Sequence, residues 1–545
     1  MTLTLLRGGR VHTPAHPEAT ALLVEDGTVR WAGDDTRTPP PADPDRVVEL
    51  GGALVTPAFV DAHVHATSTG LALEGLDLSG AGSLAEALDT VEAAARRAGG
   101  RPLLGVGWDE TRWPERRPPT RAELDRAAYG GLVYLSRVDV HSAVVSSALL
   151  AAAPGVRERA GYAESGHLTT DAHHAARAVA REAMTPGQRR DAQRAALRRA
   201  AALGVGCLHE LAGPDISSAD DVAALLSLAS AEPAPEVVPY WGELGGIDTA
   251  RALGAAGAAG DLFADGSLGS HTACLSMPYA DAPETSGHAY LDAGAVARHT
   301  VECTRAGLQA GFHAIGDAAV RTVVAGFAAA AEEVGAAAFV AARHRIEHVE
   351  LVDAGSAREL ARLGVAASVQ PVFDALWGGA EGMYAERLGV DRALASNPLA
   401  TLAAAGVPLA FGSDSPVTPL GPWEAVRAAV EHHVPEQRLR PEVAFAAHVG
   451  GGWRAARRDG AGVLAPGADA TYAVWTVRAG ITPGRRYGSG VLPDLSPGVP
   501  LPTCLRTVVR GETIYDVDRP ASRRAGEHRG RPRGAEQRSE AGGER

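Results

Sequence analysis

The residues that could do chemistry begin at Val60-Asp61-Ala62-His63-Val64-His65, which closes an apolar run. Side chains on a strand alternate between faces, so His63 and His65 point the same way. Two imidazoles on one face can share a metal ion. Other apolar runs close on further candidate ligands. His313 ends Ala310-Gly311-Phe312-His313, and His348 ends Arg345-Ile346-Glu347-His348. Asp414 ends Ala410-Phe411-Gly412-Ser413-Asp414. Imidazole and carboxylate are ligand types that suit a divalent ion such as zinc. A buried histidine or aspartate without a partner is costly, so a shared cation accounts for these residues together. A lone His-x-His pair carries little weight, because surface and core histidines often produce it. The ordered set carries the reading.

Ligands so far apart in the chain need a repeating scaffold to bring them together. Apolar segments at LVTPAFVDAHVH, VGCLHEL, EVVPYWGEL, GDLFADG, LQAGFHAIGD, RHRIEHV, VAASVQPV and VPLAFGSDSP read as eight strands. Helical patterns such as TPGQRRDAQRAALRRAAAL and DAAVRTVVAGFAAAAEEV lie between them. This alternation predicts an α/β fold with a parallel sheet covered by helices. Eight repeats predict a closed (β/α)8 TIM-like barrel, assigned to residues 56–450. Barrel enzymes place catalysis at the C-terminal ends of the strands, where the candidate ligands lie. About 130 residues, 66–195, separate the first two strands and contain Trp108 and Trp113. They predict an insertion or lid over the barrel mouth.

Residues 1–55 and 451–517 are strand-like, with a hairpin signal at Glu25-Asp26-Gly27. They predict one small β-sandwich domain built from both termini. Residues 518–545 are rich in Arg, Gly, Glu and Pro with almost no aliphatics, and a disordered tail is expected.

The chain has 545 residues, 46% hydrophobic and 21% charged, enough for a barrel plus a smaller domain. A net charge of −13 argues against nonspecific nucleic-acid binding, which needs a basic face. No uninterrupted apolar run reaches the ~20 residues of a membrane span. The opening MTLTLLRGGRVHTP lacks the pattern of a secretory leader. A cytoplasmic location and a small-molecule substrate are therefore expected, with homo-oligomerisation left open. Cys207, Cys274, Cys303 and Cys504 show no paired spacing and read as reduced structural thiols. All 52 residues of the Lys plus Arg total are arginine; the sequence contains no lysine.

These stretches resemble the amidohydrolase superfamily, in particular the subgroup (amidohydrolase family 3) of N-substituted formamide deformylases and YtcJ-like hydrolases. TPAFVDAHVH, GWDETRWPE, VDVHSAVVSSALL, DLFADGSLGSHTACLSMPY, HAIGDAAV, HRIEHVELV, SVQPVF and FGSDSPV carry the resemblance in order, over most of residues 55–420. It implies His63, His65, His313, His348 and Asp414 as metal ligands, with Asp414 also the proton shuttle. It implies hydrolysis of a non-peptide C–N bond in a small amide, N-formyl or N-acyl compound by metal-activated water. Attack on a cyclic amide or amidine, or deamination, is the alternative. A non-catalytic metal-binding relative is disfavoured by the intact ligand set.

Many relatives carry a carboxylated lysine on strand 4 that bridges two metals. Here the aligned residue is Asp261, and a chain without lysine cannot form that bridge. Asp261 then bridges directly, or stands outside a single ion and orients a histidine, or pairs with an arginine. One or two divalent ions, most readily zinc, are expected. Candidate substrate contacts are His141, Trp108 as an apolar wall, and Asp265. The last lies four residues beyond Asp261, on the same face if the strand is regular.

Overall fold

The computed structural model describes residues 2–14, 16–38, 40–476 and 492–518. Apart from Asp518, the tail expected at 518–545 lies outside the described residues.

Eight parallel strands form the central sheet: β1 (Phe59–Val64), β2 (Val205–Ala212), β3 (Glu236–Trp241), β4 (Gly257–Ala258), β5 (Gln309–Ala314), β6 (Arg345–His348), β7 (Ala366–Val369) and β8 (Leu409–Phe411). They pair in chain order, and helices cover their outer faces through one continuous apolar core. The ring closes between β8 and β1. The Asp414 N–H donates to the His63 carbonyl at 2.7 Å and the His65 N–H to the Ser415 carbonyl at 3.0 Å. The Asp61 carboxylate accepts from the Ser413 N–H at 2.9 Å. Closure therefore sets two candidate ligands, His63 and Asp414, side by side.

Two expected strands differ in extent. The run read as strand 1 divides at Ala58: Leu54–Pro57 belongs to the β domain, and only Phe59–Val64 enters the barrel. The regular ladder of β4 covers Gly257–Ala258 rather than 260–266. Beyond it the chain bends at Gly260, whose φ of +100° strongly favours glycine.

The β domain has two sheets. Leu54–Pro57 pairs antiparallel with Tyr472–Trp475, joining the N-terminal strands to Cys504–Val509 and Glu512–Asp516. The other sheet contains Leu3–Arg7, Ala21–Glu25, Thr28–Gly33 and Arg46–Glu49. Leu6, Leu22, Val29, Val55, Tyr472 and Val508 pack in the core of this domain. The predicted hairpin turn forms with Asp26 at φ +45° and Gly27 at φ +82°, the positive values a type I′ turn requires.

The segment between β1 and β2 carries its own five-stranded sheet, from Leu76–Asp77 through His167–Thr169. Its core includes Leu84, Val91, Trp108, Trp113 and Leu135. The helix Pro186–Ala202 returns the chain to the barrel, with Ala196, Leu197 and Ala200 in the barrel core. Residue 195 thus falls inside a barrel helix, and the insertion gives way before it. Among the described residues no helix is long and apolar enough to cross a membrane.

Polar groups fill the barrel axis. The fully buried Arg345 donates to Glu347 at 2.9 Å and to the Ala62 carbonyl at 2.7 Å, and its guanidinium lies 4.5 Å from the centre of the Tyr240 ring. Removing one member of such a pair leaves a buried charge unmatched. Arg345→Met is expected to destabilise the protein by about 3–5 kcal/mol, read from urea unfolding. An unchanged midpoint would show that Glu347 does not depend on Arg345.

Candidate metal centre

β1 delivers His63, and His65 follows at the start of the helix Ala66–Glu74. Glu210 on β2 accepts from the Ala66 N–H at 2.8 Å and fixes that helix start. β5 delivers His313, β6 ends on His348, and Asp414 follows β8. His348 and Asp414 have φ of +72° and +55°. Non-glycine residues in that region cost on the order of 1–3 kcal/mol, and such strain collects at functional sites.

All of these side chains are buried and converge with Asp261. His63 Nε2 lies 3.4 Å from Asp261 Oδ1 and 3.4 Å from Asp414 Oδ1. His65 Nε2 lies 3.1 Å from Asp261 Oδ2 and 3.1 Å from Asp414 Oδ1. His313 Nδ1 is 3.6 Å and His348 Nε2 3.8 Å from Asp261 Oδ1. The ion pairs of Asp261 among the described residues are thus with histidines, which corrects the reading that pairs it with an arginine. The barrel places that carboxylate among the four histidines.

The second ring nitrogen of each histidine decides what the first can do. His63 Nδ1 donates to Glu347 at 3.0 Å and His65 Nδ1 to the Leu211 carbonyl at 2.9 Å. His313 Nε2 donates to the Gly266 carbonyl at 3.1 Å and His348 Nδ1 to Gln370 Oε1 at 2.8 Å. With those protons placed outward, neutral rings turn four lone pairs toward two carboxylates. Acceptors facing acceptors repel unless a cation lies among them. Among the described residues His63 Nε2, His313 Nδ1 and Asp261 Oδ1 accordingly have no hydrogen-bond partner. Outward hydrogen bonds of this kind orient and polarise metal-bound imidazoles, so the donor set fits a divalent ion.

Protons can meet the same demand. Burial disfavours a charged imidazole, but Asp261 and Asp414 outweigh it and lift His63 above the ordinary range and His65 to about 9. Burial likewise opposes ionised carboxylates, and the facing histidines hold Asp261 and Asp414 well below the usual range. Metal and protons therefore compete for one set of atoms.

Of the candidate substrate contacts, His141 reaches the site. Its ring centre lies 5.0 Å from that of His313 and 5.4 Å from that of Phe263. Asp139, beside it, accepts from Ser267 at 2.7 Å and from Ser270 at 2.8 Å, which ties the insertion to the loop after β4. Trp108 is corrected: it is fully buried in the insertion's own core, with its indole N–H on the Leu135 carbonyl at 2.8 Å. Asp265 is corrected as well. Past the bend at Gly260 strand alternation no longer applies, and its buried carboxylate accepts the N–H groups of Cys274, Ile315 and Gly316 at 2.8, 3.0 and 2.8 Å. It shapes the loops around His313 rather than the substrate space.

His141, His313, His348 and Asp414 line a small cavity together with Glu350 and Tyr384. Trp377, Met383 and Val417 line both it and a cavity of about 940 Å³, walled on one side by insertion residues including Asp77, Val106 and Asp109. The larger cavity lies between the insertion and the barrel loops and shares these three walls with the small one beside the ligands.

Sequence reading missed Glu347 and Gln370 as the groups that orient His63 and His348. A signal existed for Glu347: Arg345 and Glu347 stand two apart on the strand Arg-Ile-Glu-His, so a cation and an anion share one face of it. Gln370 follows β7 with no pattern to mark it. Gln370→Leu removes the acceptor for His348 Nδ1 and is expected to weaken metal affinity about 10- to 100-fold. Competition with a chromophoric chelator measures this, and wild-type affinity in the variant would contradict the orienting role.

The sequence matches the amidohydrolase family over residues 46–515, and the chain belongs to that family. It is 28% identical over 445 residues to the putative amidohydrolase YtcJ of Bacillus subtilis, covering 75% of this chain and 80% of that protein. It is 32% identical over 136 residues to the N-substituted formamide deformylase of Arthrobacter pascens, covering 24% of this chain and 25% of that one. A solved structure of an uncharacterized metal-dependent hydrolase from Pyrococcus furiosus aligns with a TM-score of 0.67 at 28% identity, covering 87% of this chain and 98% of its own.

Proposed function

We propose that the protein is a zinc-dependent hydrolase of a non-peptide C–N bond in a small amide, N-formyl or N-acyl compound. The observation that carries this reading is the convergence of four histidine lone pairs and two carboxylates, all buried, at the C-terminal mouth of the barrel. His63, His65, His313, His348 and Asp414 would hold the ion. Bound there, a divalent ion supplies Lewis acidity toward a carbonyl and toward water.

The chain's own groups do the rest. Asp414 lines the small cavity and takes the proton from the attacking water. It then returns that proton to the departing nitrogen, the double duty of a general base turned acid. Glu347 and Gln370 hold His63 and His348 in one orientation. His141 stands at the cavity wall as the substrate contact contributed by the insertion. The partial likeness to a formamide deformylase, over 136 residues, supports the acyclic amide.

The test is a substrate screen with zinc-loaded protein. N-formyl and N-acyl amines should release amine and carboxylate, while cyclic amides and amino-heterocycles should not turn over. Ring opening or ammonia release without acyclic hydrolysis would replace the proposed substrate class.

A further inference from the structure

Glu350 follows the end of β6, just past His348. The backbone there is pinned without help from its side chain. The Leu351 N–H donates to the Ile315 carbonyl at 3.1 Å, and the Asn397 N–H donates to the Glu350 carbonyl at 2.8 Å. The Glu350 side chain is nonetheless buried, 2% exposed, and lines the small cavity with His348, Tyr384 and Asp414. The Tyr384 hydroxyl donates to its carboxylate. Glu350 Oε2 is buried and has no hydrogen-bond partner among the described residues. A buried acceptor left unmatched is costly, and each such group calls for a partner.

The other carboxylates of this cavity are committed. Asp139 accepts from Arg137 at 2.9 Å, from Ser267 at 2.7 Å and from Ser270 at 2.8 Å. Asp414 faces His63 and His65. Glu350 is the carboxylate left to meet a ligand.

The reaction brings a suitable donor to this place. Asp414 hands its proton to the lone pair of the departing nitrogen, so that nitrogen enters the cavity with its lone pair toward Asp414. In a secondary amide the N–H already present then points elsewhere. An acceptor on that N–H fixes the direction of the lone pair. The contact also strengthens as the nitrogen gains its proton, because an N–H on a nitrogen acquiring positive charge is the better donor.

We propose that Glu350 is a substrate-binding residue: held by the Tyr384 hydroxyl, it accepts the N–H of the scissile amide on Oε2 and so selects secondary amides over substrates that lack this N–H. This rests on the hydrolase reading above, and the test separates the two.

Zinc-loaded wild type, Glu350→Gln and Tyr384→Phe are compared on N-butylformamide and N-butylacetamide and on the matching esters, butyl formate and butyl acetate. Each ester has nearly the shape of its amide with oxygen in place of N–H. With one side-chain oxygen kept on Tyr384, the glutamine turns an NH2 toward the substrate, which repels an amide N–H and accommodates an ester oxygen. The amide-to-ester ratio of kcat/KM is expected to fall about 10- to 100-fold in Glu350→Gln, the scale of a buried hydrogen bond left unmade. Tyr384→Phe, which only loosens the carboxylate, is expected to lower the ratio about 3- to 10-fold. A ratio that stays at the wild-type value, whether both activities fall together or neither does, would overturn the contact and leave the hydrolase reading standing. A merely structural role, or a contact to the attacking water, produces that parallel fall. If Glu350→Gln does not fold, the ratio in Tyr384→Phe decides alone. Wild type that turns over neither amide removes both readings.

Discussion

Asp414→Asn is expected to lower kcat about 10²- to 10⁴-fold, the contribution typical of a positioned general acid–base group, while metal content stays near that of the wild type. The amide is nearly isosteric and keeps an oxygen to face His65, which lies 3.1 Å from Asp414 Oδ1. Asparagine also tolerates the left-handed backbone found there, φ +55°, as well as aspartate does. What it cannot do is accept a proton from water and pass it on. The informative measurement pairs kcat with metal content on one preparation. Full turnover with metal retained would remove Asp414 from the proton path. Loss of metal alongside turnover would make it a ligand first.

Stripping the metal is expected to abolish turnover and to lower the melting temperature, with both restored by zinc. An ion that binds only the folded chain stabilises it by about 4 kcal/mol at a thousandfold excess over its Kd. The effect has a pH signature. His65 is raised to about 9, because Asp261 and Asp414 outweigh the burial that opposes its charge. Below that value the metal-free site holds a proton that the ion must displace. Uptake should therefore release protons at pH 7, and apparent affinity should strengthen as the pH rises from 6 toward 9. Calorimetric titration in buffers of different ionisation enthalpy reads the release directly. Proton-neutral binding, or affinity that weakens over this range, would mean the ion sits elsewhere.

Much of the site was legible because barrel strands end where chemistry begins. His63 and His313 follow apolar residues on their strands, His348 ends the strand Arg-Ile-Glu-His, and strand alternation puts His63 and His65 on one face. The barrel followed from the same runs, since an apolar strand between helices has only a parallel sheet to enter. What remained hidden was what alternation does not govern. Asp265 was misplaced because the chain bends at Gly260 and abandons the period of two. Trp108 was misplaced because an aromatic in an insertion can serve that insertion's own core, and the sequence does not say which face it takes. Glu350 and Tyr384 meet at one cavity, and Gln370 meets His348, only through tertiary packing, which local pattern does not record. Asp261 was visible as a departure, but that its Oδ1 faces His63, His313 and His348 while its Oδ2 faces His65 depends on tertiary packing.

A divalent ion is expected to bind in the buried histidine–aspartate cluster at the barrel mouth. The most direct measurement is an anomalous difference map from crystals of zinc-loaded protein, collected on either side of the zinc edge. Density is expected among His63, His65, His313, His348, Asp261 and Asp414, within bonding distance of the four inward ring nitrogens. Fully loaded, active crystals with anomalous density elsewhere, or with those nitrogens bonded only to the two aspartates, would contradict it.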